Sequence, residues 1–213
     1  MKKTYLLMTA AAVASFTLAS CSDDEPISEN HGAPISFRSS MSTRATETTN
    51  ANLTSINVAA FMGNTPFFNT MAFTKGSDGY FTSETTYNWP GDNTSLNFYA
   101  FSPANPGGTV TLNSDSKVMT GFSPAADIAG QIDFITAFAT GNKDENEATG
   151  VPLKFDHRLA QIMVRAKTDN TAYTYKVTGV RIGQAVSKAD FDFTTNSWTL
   201  GSDKAIYDET YDT

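Results

Sequence analysis

Turn signals divide this chain into short runs, and that spacing restricts its fold more than any other feature. Gly76-Ser77-Asp78-Gly79, Trp89-Pro90-Gly91-Asp92-Asn93, Asn105-Pro106-Gly107-Gly108 and the stretch 194–197 carry residue types that tight turns favour. Such signals recur roughly every 8–12 residues, and no long amphipathic helical pattern lies between them outside the N-terminal apolar run. The intervening runs read as strands at 34–38, 53–61, 67–75, 80–86, 96–101, 118–122, 132–139, 173–183, 191–193 and 198–200. Gly179 would bulge the long run 173–183, and the last two runs would pair as a hairpin. Along 132–139, Ile132, Phe134, Thr136 and Phe138 share one face, with Asp133, Ile135 and Ala137 on the other. Residues 141–150 read as a charged, structureless loop, and 203–213 as an acidic tail without a core pattern. The expectation is an all-β fold, an antiparallel sandwich or barrel.

Within that pattern the stretch 153–167 is the most informative. Leu153, Phe155, His157 and Leu159 alternate with Lys154, Asp156 and Arg158, the period of a half-buried strand. The apolar set then changes parity, to Ala160, Ile162, Val164 and Ala166, which predicts a bulge or strand break near 157–160. A helix is the rival, because Phe155, Leu159, Ile162 and Ala166 also fall on one helical face. Local pattern leaves the two close; the β-rich surroundings favour the strand.

The first twenty residues stand apart. Lys2 and Lys3 precede an apolar run over 5–19 that closes on Leu18-Ala19-Ser20-Cys21, which reads as a secretory signal peptide over 1–20. Cys21 is the only cysteine, and its position after Leu-Ala-Ser resembles a bacterial lipobox. Cleavage there makes Cys21 the lipidated N-terminus and leaves no thiol for a disulfide. It also removes two lysines and no acid, taking the net charge from −7 to about −9. So acidic a surface argues against nucleic acid and against docking on anionic lipid, so membrane attachment would rest on the acyl chains. Residues 22–32 are polar and aperiodic, a flexible tether, and Ser22-Asp23-Asp24-Glu25 resembles the surface-export signal of Bacteroidetes lipoproteins. The short strand at 34–38 then puts Ile35 and Phe37 on one face. It is loosely tied, because a Ser/Thr-rich loop over 39–52 follows, with Arg44 as its exposed basic residue.

Little of the sequence is chemically suggestive. The histidines are His31, in the tether, and His157, with no second His or Cys at ligand spacing, so no metal site is expected. His157 reads as a buried, hydrogen-bonded core residue, and Asp156 faces away from it on a strand. There is no Gly-x-Ser-x-Gly elbow, and no helix follows Gly107-Gly108 to cradle a phosphate. Asp190 and Asp192 share one strand face and do not oppose each other across a cleft. Neither an enzyme nor a cofactor is expected.

Several segments together resemble the fimbrillin family of Bacteroidales, the Mfa-like and FimA-like pilins and accessory lipoproteins. They are the lipobox at 18–21, Ile35-Ser36-Phe37, Thr43-Arg44-Ala45, Trp89-Pro90, Leu96-Asn97-Phe98-Tyr99-Ala100-Phe101-Ser102-Pro103, Gln131-Ile132-Asp133-Phe134 and Leu153-Lys154-Phe155-Asp156-His157-Arg158-Leu159-Ala160-Gln161. The resemblance implies a transthyretin-like antiparallel β-sandwich of Greek-key type. It implies a lipid-anchored outer-membrane protein that joins other subunits of a surface fimbria and supports adhesion to a host or bacterial surface ligand. In polymerising members an arginine-specific protease removes an N-terminal strand, and a strand from another subunit fills the groove. By position Arg44 matches the cleavage site, and 34–38, with Ile35 and Phe37, the strand that is lost. The implied layout is signal peptide 1–20, tether with removable strand 21–52, β-sandwich 53–200 and acidic tail 201–213. The second β domain and C-terminal donor of family members have no counterpart here, so a terminal or anchoring subunit that receives a strand and offers none, or a truncated product, is expected. The alternative is a non-polymerising surface lipoprotein that binds glycan or host protein through loop aromatics such as Phe67, Phe68 or Trp89.

Overall fold

In the computed structural model, residues 32–41, 48–170 and 172–211 are described. They form β1 (Phe37–Met41), β2 (Ser55–Met62), β3 (Thr65–Lys75), β4 (Phe81–Thr82), β5 (Leu96–Ser102), β6 (Thr109–Leu112) and β7 (Lys117–Phe122). There follow β8 (Ile135–Gly141), the single helical turn α1 (Lys143–Asn146), β9 (Val151–His157), β10 (Gly179–Val186), β11 (Ala189–Asp192), β12 (Ser197–Leu200) and β13 (Lys204–Thr210).

Seven strands close into a barrel in the order β1-β4-β3-β2-β5-β8-β9. β2 and β5 carry near-continuous apolar runs, Asn57-Val58-Ala59-Ala60-Phe61 and Phe98-Tyr99-Ala100-Phe101, which mark strands buried on both faces. Ile56, Val58, Ala60, Leu96, Phe98 and Ala100 join one core cluster with residues of β1, β3, β4, β8 and β9. Ala59, Phe61, Tyr99 and Phe101 point the other way, onto Leu112, Met119, Phe122 and Phe191 of a four-stranded sheet ordered β12-β11-β7-β6 and onto Phe193 in the turn after β11. Phe134 meets Phe191 edge-on across that layer, with ring centroids 5.6 Å apart. A separate two-stranded sheet pairs β10 with β13.

The all-β expectation holds, and the 191–193/198–200 hairpin forms as β11 and β12. The 76–79 turn also forms, with Gly79 at φ +86° and Tyr80 donating its amide to Asp78 Oδ1 at 3.0 Å. Several expectations need correction. The pairing is not wholly antiparallel, because β1 lies parallel to β9, with no hairpin joining them. The main β sheet closes into a barrel, although the second layer over β2 and β5 keeps one wall sandwich-like. The strand at 153–167 ends at His157 and does not resume; 160–170 and 173–178 lie outside any strand, and Ile162, Val164, Tyr173 and Tyr175 are exposed. β8 begins at Ile135, so Ile135 and Ala137 face the barrel interior and Phe138 is exposed beside Tyr99. The bulge in β10 falls between Ile182 and Ala185, where Gln184 has φ +60°. Gly179 instead opens β10, at a position where a Cβ would lie 2.7 Å from the Glu209 carbonyl oxygen. Residues 143–146 make a helical turn because the Asn142 side chain accepts the Glu145 amide at 3.0 Å. The acidic tail supplies β13, whose alternation is mostly polar and so carries no core signal.

Candidate functional site

The N-terminal strand is stitched into the barrel seam. β1 pairs with β9 at five positions, from Phe37 opposite Val151 to Met41 opposite Phe155. It pairs with β4 at one position, Phe37 opposite Phe81. Ahead of β1, Ile35 donates its amide to the Tyr87 carbonyl at 2.8 Å, Trp89 donates to the Ala33 carbonyl at 3.2 Å, and Val151 donates to the Ser36 carbonyl at 2.9 Å. Residues 33–37 are therefore held on both sides. Among the described residues no strand pairs with the other side of Arg38–Met41, and the Ser39 hydroxyl bonds Asn50 Oδ1 there.

Side chains follow the same division. Phe37 is fully buried and meets Phe73 at 4.9 Å and Phe98 at 5.1 Å, both edge-on. Ile35 is buried in the same cluster, and Trp89 sets its indole edge-on to Phe98 at 5.8 Å. Phe155, Leu153 and Val151 line β9 from inside. Gly32 is needed where it stands, since a Cβ there would lie 2.8 Å from the Trp89 carbonyl oxygen. The sequence picture of a loosely tied strand is thus corrected: alternation sends Ile35 and Phe37 into the core, while Pro34, Arg38 and Ser40 are exposed. Phe73 and Phe81 complete the Phe37 slot and were not singled out from the sequence, because distant strands bring them there.

At the end of β9 the chain leaves the barrel through a polar junction. His157 Nδ1 lies 2.8 Å from Asp133 Oδ2 and 3.0 Å from Oδ1, and Thr48 donates its amide to Oδ2 at 3.1 Å. The partner of His157 is therefore a carboxylate 24 residues earlier, which no local pattern reveals. Arg158 next turns into the second layer. Its amide donates to the Phe134 carbonyl at 2.8 Å, its Nε to Thr136 Oγ1 at 2.5 Å, and its carbonyl accepts from Trp198 Nε1 at 2.9 Å. Burial lowers the pKa of its guanidinium from the ordinary value, and Asp156 acts in the opposite sense. The Arg158–Phe134 bond carries the β8–β9 register one residue further, and the Trp198 indole then takes the Arg158 carbonyl, so the chain leaves the ladder with its backbone satisfied.

The residues singled out from the sequence thus separate into groups. Ile35, Phe37, Trp89, Phe98 and Phe155 share one cluster, Tyr99 lies in the other, and Asp133 pairs with His157. Cys21, His31 and Arg44 lie outside the described residues. Phe68 and Trp89 are buried and Phe67 is half-buried, so these aromatics do not form an exposed ligand platform. Among the described residues no group of three or more His, Cys, Asp or Glu could hold a metal ion. The junction presents a carboxylate that accepts from a backbone amide and pairs with an imidazole, an arrangement that fixes the chain.

Three solved structures share the fold. A protein described as a cell adhesion protein from Bacteroides uniformis aligns with a TM-score of 0.60 at 20% identity, over 84% of this chain and 70% of its own. A fimbrial protein from Bacteroides vulgatus gives 0.55 at 18%, over 81% and 64%. A further protein described as a cell adhesion protein, from Bacteroides ovatus, gives 0.56 at 20%, over 82% and 71%. No curated protein matches. The family model described as fimbrillin-like matches residues 43–213, most of the sequence, and the chain therefore belongs to the fimbrillin-like family.

Proposed function

We propose that this protein is a structural subunit or anchoring component of a cell-surface fimbria, assembled by strand replacement at the β1 seam and serving adhesion. The observation that carries the reading is the asymmetry of β1: five pairings with β9 on one side, one with β4 on the other, and a phenylalanine sunk between Phe73 and Phe98. Loss of residues up to Arg44 would bare the backbone donors and acceptors of β9 and empty the Phe37 slot. An extended segment from another subunit, with a large apolar residue at the Phe37 place and a second at the Ile35 place, would restore both. Backbone bonds would supply affinity, and the two pockets would set register. In this reading residues 1–20 are the signal peptide, Cys21 carries the lipid that holds the protein at the outer membrane, and 53–200 is the transthyretin-like domain that receives the strand. The two buried faces of β2 and β5 support that layered description.

The test is to treat the purified chain with an arginine-specific protease and add a labelled peptide of residues 33–41. Native mass spectrometry should show a one-to-one complex, and a peptide with Phe37→Ala should bind at least about tenfold more weakly. A cleaved protein that keeps its original strand, or takes up neither peptide, overturns the reading.

A further inference from the structure

The chain that follows β1 has an anchor of its own, separate from the seam. β1 ends with Met41 opposite Phe155 of β9, and two residues further along β9 stands His157. His157 Nδ1 grips the Asp133 carboxylate at 2.8 Å, and that carboxylate accepts the Thr48 amide at 3.1 Å. The His157 and Asp133 side chains are 8% and 15% exposed, so the bonds form largely out of water. Bonds to an ionised acceptor are the stronger kind, and partial burial strengthens them further. Just downstream, the Thr49 amide donates to Asn52 Oδ1 at 2.6 Å, and the Leu53 amide to the Thr49 carbonyl at 3.0 Å, leading into buried Leu53. One strand thus holds two consecutive pieces of chain by different means. Residues 151–155 hold β1 by backbone pairing, and residue 157 holds Thr48 through a side-chain carboxylate.

We propose that Asp133, oriented by His157, is a positioning residue that sets where the separable N-terminal strand ends and the retained domain begins. This rests on the strand-replacement reading for its purpose, since an anchor at Thr48 lets the chain peel from β9 only that far. It does not rest on that reading for its physics. Without the anchor, 48–53 frays when β1 leaves, and the loose end competes for the bared edge of β9. With it, the retained chain starts at a fixed point beside the groove, and the groove stays open to a strand from elsewhere.

The anchor is tested first on the full uncut chain, by hydrogen exchange. Asp133→Ala should raise exchange over 48–53 by about tenfold or more, the loss expected for a bond to a charged group, while β2 and β5 stay unchanged. Asp133→Asn should recover part of the protection, because its amide oxygen can still accept the Thr48 N–H. Thr48→Pro removes the donor and leaves the Asp133–His157 pair in place, so it should reproduce the fraying over 49–53 even if Asp133→Ala folds poorly. The second measurement follows cleavage with an arginine-specific protease by aminopeptidase trimming and mass analysis. Trimming of the wild type should halt close to Thr48 and that of Asp133→Ala should run on towards Leu53. Equal halting points, or exchange that rises evenly across the barrel, overturn the proposal, since a merely stabilising pair would give both. A cleaved chain that keeps β1 while the variants still fray over 48–53 refutes strand replacement and leaves the anchor supported.

Discussion

β9 and the segment that continues it begin from the same kind of sequence and end in opposite environments. Val151, Leu153 and Phe155 are fully buried, whereas Ile162, in the alternating run of opposite parity that follows, is 67% exposed. The difference lies in neighbours. β9 has β1 on one side and β8 on the other, with a second apolar wall across the barrel. The segment 160–170 has no strand beside it among the described residues. Alternation shows that a run is suited to one covered face, and the rest of the chain decides whether a cover arrives.

The largest expected effect that could break this comparison is Phe155→Ala, which should destabilise the fold by about 3–5 kcal/mol in a urea melt. A loss under about 1 kcal/mol would mean that β9 is no better buried than its continuation. A proline scan sharpens the same point. Lys154→Pro puts a proline inside a strand flanked on both sides and should lower the urea midpoint clearly, while Val164→Pro, outside any strand, should leave the midpoint almost unmoved. Phe37→Ala should cost about 3 kcal/mol in the uncut chain and should also speed departure of β1 after cleavage, read as faster uptake of labelled peptide. Smaller still, Trp198→Phe leaves the Arg158 carbonyl without its indole donor and should lower stability by about 1 kcal/mol, testing whether the junction is what stops β9. Ile162→Thr is the smallest, within about 0.5 kcal/mol. A larger loss there would show that the exposed run is covered in solution.

What the sequence made legible follows from the same physics. The 76–79 turn and the β11–β12 hairpin were readable because their turn residues act locally. The two-sided burial of β2 and β5 was present in their unbroken apolar runs, yet deciding what lies on each face needs the second sheet. β13 was missed because a pair of strands with mainly polar alternation differs little from a solvated tail. The break after His157 was expected from the change of parity, and the group that takes the Arg158 carbonyl there was not, since Trp198 comes from the second layer. In the same way Asp133 could be named as part of a motif, while its grip on His157 and Thr48 depends on three segments meeting.

Only six residues join Met41 to Thr48, and that brevity acts as a concentration. A segment tethered by so short a connection competes for its own groove at an effective level on the order of millimolar. Any strand from outside, at the far lower level a free partner reaches, loses that contest while the connection is intact. In the strand-replacement proposal, cutting it turns β1 from a resident into one dilute ligand among others. On that proposal, the integrity of one peptide bond would set the timing of assembly.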